Sequence, residues 1–218
     1  MLTNLFSSFD PSTKSLFQMN WISMISAMMI LPNKFWVSNS RTTMTSKMIK
    51  MKMNEEMSNI IKNKQIKMIL MSTFTFILIN NIMGLSPYTF TSTSHLPTAL
   101  SLAMPLWIML MLYGWTKSTN KMFAHLIPSG TPMLLMPFMI LIETISNIMR
   151  PISLSVRLMA NMIAGHLLMT LLGNLNSIKT INFILIIQMS LMTFEMAISM
   201  IQAYVFMILG TLYSSEIP

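Results

Sequence analysis

The chain has 218 residues and a formal net charge of +8, yet only 9% of its residues are charged and 53% are hydrophobic. Soluble domains carry about 25% charged residues, so a sizeable water-soluble domain is excluded and an all-α polytopic membrane protein is expected. Cysteine is absent, which removes disulfide frameworks and thiolate metal sites.

Residues 1–14 form a short polar start. Asp10 and Pro11 precede the first apolar run without a basic n-region, so residues 15–37 are expected to remain as a first transmembrane helix. Trp21, Lys34 and Trp36 lie toward the ends of that run, where interfacial anchors belong. Residues 41–67 are basic: Lys47, Lys50, Lys52, Lys62, Lys64 and Lys67 fall within them. Ile49, Met53, Met57, Ile60, Ile61 and Met68 recur there at helical spacing, which predicts an amphipathic helix on the membrane surface. Its expected partner is lipid, including anionic lipid at the 47–67 lysine cluster. Nucleic acid is not expected, because no aromatic residue interleaves the lysines. The lysines assign this stretch to the inner side and the N-terminus to the outer side.

Residues 68–116 contain no Asp, Glu, Lys or Arg. They are read as a helical hairpin: one crossing over 68–85, a polar turn over 86–97, and a return over 98–116 to Lys117 and Lys121. Residues 131–173 are too many for one upright span and carry no loop signal midway. Pro151 is expected to bend this helix without ending it. After a turn at Gly173–Ser177, residues 180–214 make a second long helix. The last hairpin, 131–214, is thus predicted to consist of two long, strongly tilted helices, and the whole of 1–218 to be one integral membrane domain.

Polar residues inside this hairpin carry the functional reading. Arg157 opens a run with no further charge until Lys179. A guanidinium keeps its charge at any physiological pH, and at the centre of a bilayer helix it costs about 2.5–3.5 kcal/mol even on the mildest scale. Asn161 is one turn on and shares its face. Ala160 and Ala164 flank that face at a spacing that admits another helix closely. Arg157 therefore either serves a partner that slides past or closes an ion pair with Glu143 or Glu195.

Glu195 is uncharged on both sides over 180–194 and 196–215, and Gln202 lies two turns on along the same stripe. His166 follows Asn161 on the facing helix, and histidine exchanges protons near neutral pH by default. These groups compose a plausible proton wire; His166 taken alone also fits a buried polar residue with satisfied bonds. Glu143 precedes Arg157 by about 21 Å of helix and belongs at a different depth. Arg150, between them, is expected to snorkel at the inner interface. With three histidines and no cysteine, no metal is assigned. No Gly-rich phosphate loop or nucleophile triad appears, so no cofactor, nucleotide or catalytic site is expected.

The string Leu154-Ser-Val-Arg157-Leu-Met-Ala-Asn161-Met-Ile-Ala-Gly-His166-Leu167 resembles the signature of subunit a of the F-type ATP synthases in its mitochondrial form. Ile142–Ser146, Glu195 and Ile201–Phe206 resemble that family too, and Phe9-Asp10-Pro11-Ser12 is similar to arthropod versions. The resemblance implies a proton-conducting stator subunit in the mitochondrial inner membrane. Two offset half-channels would lead protons to and from the carboxyls of a rotating ring of small hairpin subunits, the c-ring. Arg157 would keep a passing ring carboxylate ionised and prevent a proton short-circuit. His166 and Glu195 would serve the intermembrane-space half-channel, lined by Asn161 and Gln202, and Glu143 the matrix side. Peripheral-stalk and other membrane subunits of the synthase would be partners. The competing reading is a rotor-less proton-conducting subunit of an antiporter or respiratory complex, which would more often use lysine–acid pairs. A structural scaffold is a third, disfavoured by so many polar residues together.

Overall fold

The computed structural model describes residues 5–12, 18–29, 37–61, 63–86, 89–127, 132–174 and 181–216. The helices among them are α1 (Ile22–Met29), α2 (Arg41–Ile60), α3 (Lys64–Gly84), α4 (Leu96–Lys117), α5 (Thr119–His125), α6 (Met136–Asn174) and α7 (Ile181–Glu216). No strand occurs among the described residues. Four segments are long and apolar enough to cross a membrane: α3, α4, Met133–Asn174 and α7. The chain is an all-α polytopic membrane protein.

Of the first expected crossing, 15–37, a 3-10 turn at Met19–Trp21 and the eight-residue α1 are described; residues 15–17 and 30–36 lie outside the described residues. α1 packs on α3. Ser40 caps α2 by accepting from the Thr43 amide at 3.3 Å, as an N-cap serine should.

α2 is shorter than the surface helix expected from the sequence pattern over 41–67. Ile61 leaves the helical region at φ −112°, ψ 127° and turns its side chain into the core. Lys64 then opens α3, so the last turn expected of the surface helix, through Lys67, is the first turn of the second crossing. Burying an isoleucine outweighs continuing an exposed helix: a buried aliphatic side chain contributes about 1.5–3 kcal/mol.

α6 runs unbroken through Pro151 for 39 residues, and α7 for 36. At about 1.5 Å per residue these helices reach about 58 and 54 Å, nearly twice the ~30 Å hydrocarbon layer. They fit the apolar layer only when steeply inclined.

α3 is the hub. It packs against α7, α1 and α2, while α6 packs against α4 and α7. Leu70, Phe74 and Ile77 of α3 meet Phe206 and Met207 of α7 and Leu154 and Leu158 of α6 in one apolar cluster. Small residues permit the close approaches. A Cβ built on Gly210 would stand 2.7 Å from Leu70 Cδ2. The outward faces of α6 and α7 are strongly apolar, with Phe138, Leu141, Phe183, Ile186 and Met189 all exposed. Such faces belong against lipid or a partner rather than water.

Candidate functional site

The two long helices present their polar residues at three levels. In the middle of α6, Arg157 is exposed on the same face as Ala160, Asn161 and Ala164. Among the described residues it makes no ion pair; the ion pairs there belong to Arg150. The reading of Arg157 as a partner of Glu143 or Glu195 is therefore corrected. The spacing along α6 sets Glu143 too far away, and Glu195 sits about two turns further on, against Gly165. What surrounds Arg157 on α6 is a smooth stripe of small side chains.

The second level begins one turn beyond it. Asn161 donates to Gln202 Oε1 at 2.9 Å, tying α6 to α7. A cavity of about 220 Å³ opens beside this bond, lined among others by Asn81, Gly165, Glu195 and Ser199. Glu195 is buried at 8% exposure. It fits because residue 165 is glycine: a Cβ there would lie 3.0 Å from Glu195 Cδ and 3.2 Å from Oε2. Gly165→Ala is accordingly expected to displace the carboxyl and lower proton-driven ATP synthesis several-fold while assembly persists. Unchanged synthesis rates in membrane vesicles would show that the carboxyl tolerates the shift.

Asn81, at 1% exposure on α3, completes the cavity wall and donates to the Ser199 carbonyl at 3.5 Å. The sequence reading missed it. The available signal was the pair Asn80-Asn81 deep in an otherwise apolar span. The two have different duties: Asn80 bonds its own helix at Phe76 O, 3.1 Å away, whereas Asn81 faces the cavity. Asn81 Oδ1, Glu195 Oε1 and Gln202 Nε2 are buried without a partner among the described residues. Leaving such an atom unpaired costs about 1–3 kcal/mol, a cost removed by water in a cavity with room for several molecules at about 30 Å³ each.

His166 follows Gly165 in sequence but faces away from this cavity. Its imidazole lies beside the Gly84 backbone and stands edge-on to Phe9 at 6.0 Å between ring centroids. Nε2 is buried and has no partner among the described residues. Gly84 and Asn81 are one turn apart on α3, so α3 touches both His166 and the Glu195 cavity. The sequence grouped His166 with Glu195 directly; the structure brings Asn161, Glu195 and Gln202 together and sets His166 behind the α6 backbone.

The third level lies toward the start of α6 and the end of α7. Glu143 is half-buried there, and Arg150 Nη2 is 4.0 Å from its Oε1. Arg150 also pairs with Glu216 and stacks over the Tyr213 ring at 5.0 Å. Arg150 is thus no free snorkelling residue. It clasps α6 to the last turn of α7, and Glu216 is a second site residue absent from the sequence reading. A lone acid in a polar helix end carries no pattern that marks it; its partner became visible only in three dimensions.

Arg157 thus lies exposed at mid-helix, between the buried Glu195 with its neighbouring amides and the ion cluster of Arg150. Comparison with known proteins identifies the family. The family model described as ATP synthase A chain matches residues 15–215. The chain is 51% identical to ATP synthase subunit a of Drosophila melanogaster over 223 aligned positions, covering 100% of both chains. It is 50% identical to that of Locusta migratoria and 49% to that of Aedes aegypti, again over 100% of each. With the match running through every crossing and both polar clusters, the chain belongs to the ATP synthase A chain family.

Proposed function

We propose that this chain conducts protons in two steps past Arg157, handing each to a carboxyl of a rotating ring and receiving it back on the other side. It is a multi-pass mitochondrial membrane protein and the proton-conducting stator subunit of ATP synthase. In the proposed assignment Glu195, Asn161, Gln202 and Asn81 line the half-channel from the intermembrane space, with His166 on the approach to it. Glu143, held by Arg150 and Glu216, serves the matrix side. Arg157 lies between them and answers to neither.

The observation that carries this reading is the exposure of Arg157 with no ion pair among the described residues. A fixed cation on an apolar face favours the ionised form of a carboxyl brought against it. Ala160 and Ala164 beside it let a helix of the c-ring approach and slide. A rotor-less channel has no need to turn its permanent charge outward, so that alternative is not favoured. The N-terminus then lies toward the intermembrane space, and α2 toward the matrix, beside peripheral-stalk subunits of the synthase.

Absence of cysteine gives a clean background for the test. Ser199→Cys, on the Glu195 cavity, is expected to react with a small membrane-impermeant thiol reagent added from the intermembrane-space side. Asn147→Cys, beside Arg150, is expected to react from the matrix side. Labelling of both from the same side would refute the two-sided path.

A further inference from the structure

An open groove of about 940 Å³ runs between α2 and the first turns of α3, away from the proton path. Lys47 and Lys50 line it from α2, and Lys64 and Lys67 from α3. No Asp or Glu lines it, and among the described residues none of the four lysines makes an ion pair. The nearest acid of α2 in sequence, beyond Asn54, is Glu55; Glu56 accepts from the Tyr204 hydroxyl at 3.1 Å instead. Four ammonium groups on two walls repel one another unless an anion stands between them.

The groove also has a depth. Lys64 and Lys67 directly precede the uncharged stretch 68–116, which puts them at headgroup level, and α2 lies at the surface by its amphipathic pattern. Below the lysines the lining is uncharged: Met68, 66% exposed, is followed along α3 by Met71, Ser72 and Thr75, and both hydroxyls donate to carbonyls of their own helix. An occupant needs an anionic head above and an apolar tail below.

We propose that this groove seats one anionic phospholipid. Its phosphate oxygens lie among Lys47, Lys50, Lys64 and Lys67, and its acyl chains run along Met68, Met71 and Thr75. The proposal rests on α2 lying at the membrane surface. A disordered polybasic stretch attracts acidic lipid diffusely; lysines fixed on two helices hold a single headgroup and staple α2 to α3.

The test uses assembled ATP synthase carrying Lys47→Gln, Lys50→Gln, Lys64→Gln and Lys67→Gln together. The pair Lys47→Gln and Lys50→Gln on the exposed helix α2 gives the same readout with less risk to folding. Complexes in phosphatidylcholine–detergent micelles are supplied with phosphatidylglycerol, washed with detergent, and their bound lipid counted by native mass spectrometry. The unaltered complex is expected to retain phosphatidylglycerol that both variants lose. A control with Lys52→Gln, Lys117→Gln and Lys121→Gln retains it, and inorganic phosphate does not displace it. Equal retention in all complexes overturns the site, as does displacement by phosphate. Loss of a protein subunit rather than lipid would make the groove a protein-docking surface and also overturns it. Proton-driven ATP synthesis measured on the same preparations keeps the stator role separate: normal synthesis without lipid loss sinks the lipid site alone.

Discussion

Arg157→Lys is expected to abolish proton-driven ATP synthesis while the complex still assembles. Both side chains are cationic in water, and the difference appears only when they are desolvated. An ammonium can give up its proton in an apolar site; a guanidinium cannot. At position 157 a lysine would become a stepping stone, letting protons pass between the two polar clusters without turning the rotor. Arg157→Gln fails by the opposite route. It removes the charge that holds a passing carboxylate ionised, and stripping one partner from a desolvated pair costs about 3–5 kcal/mol. At about 1.4 kcal/mol per factor of ten that slows rotation more than a hundredfold. Proton leak in vesicles is expected to rise in both variants, because each removes the permanent charge that blocks a direct path between the two polar clusters. Assembly is insensitive to either because Arg157 bonds nothing within the described residues. Wild-type synthesis in Arg157→Lys would end the stator mechanism for this residue.

Glu195→Gln is expected to reduce proton flux from the intermembrane-space side about a hundredfold, within the range that positioned acid–base groups contribute. The substitution preserves shape, so the contact with Gly165 and the 220 Å³ cavity persist. What is lost is a group that can both accept and release a proton. An amide makes hydrogen bonds but does not relay protons at this rate. Glu195→Asp keeps the carboxyl and pulls it back by one methylene, so it should recover part of the flux. Proton uptake by vesicles under an imposed gradient reads both variants. Full flux in Glu195→Gln would move the proton path elsewhere, with His166 the next group to examine.

Much of this site was legible in the sequence because of the solvent the chain lives in. In an apolar helix each polar residue stands out against its background, and period 3.6 decides which share a stripe. Arg157 and Asn161, and Glu195 and Gln202, were read that way, and the structure joins Asn161 to Gln202 by a hydrogen bond. The long hairpin followed from length alone, and Pro151 sits inside a continuous α6 as expected. Periodicity knows nothing of neighbours, however. Asn81 is on a different hairpin, and only tertiary packing turns it toward the cavity. The Arg150–Glu216 pair joins residues 66 apart in sequence, which no local rule connects. His166 was grouped with Glu195 as a titratable residue beyond Asn161 on the facing helix, but it is Gly165 that meets Glu195, and consecutive residues of a helix point about 100° apart. The boundary of α2 was misread for a related reason. A surface pattern continues through Lys64 and Lys67, while the fold is decided by where Ile61 buries.

Gly165 has a mechanical meaning too. A carboxyl pressed onto a helix backbone, an amide pair one turn away and Gly210 set against Leu70 leave α3, α6 and α7 little freedom to shift relative to one another. The acid, the amides and the guanidinium are thereby parts of one stiff block. A gear train needs a housing that does not flex when a tooth goes by, and two glycine contacts with one amide bond stiffen this one. The stroke of this motor then belongs wholly to the wheel, and its timing to the spacing of the teeth.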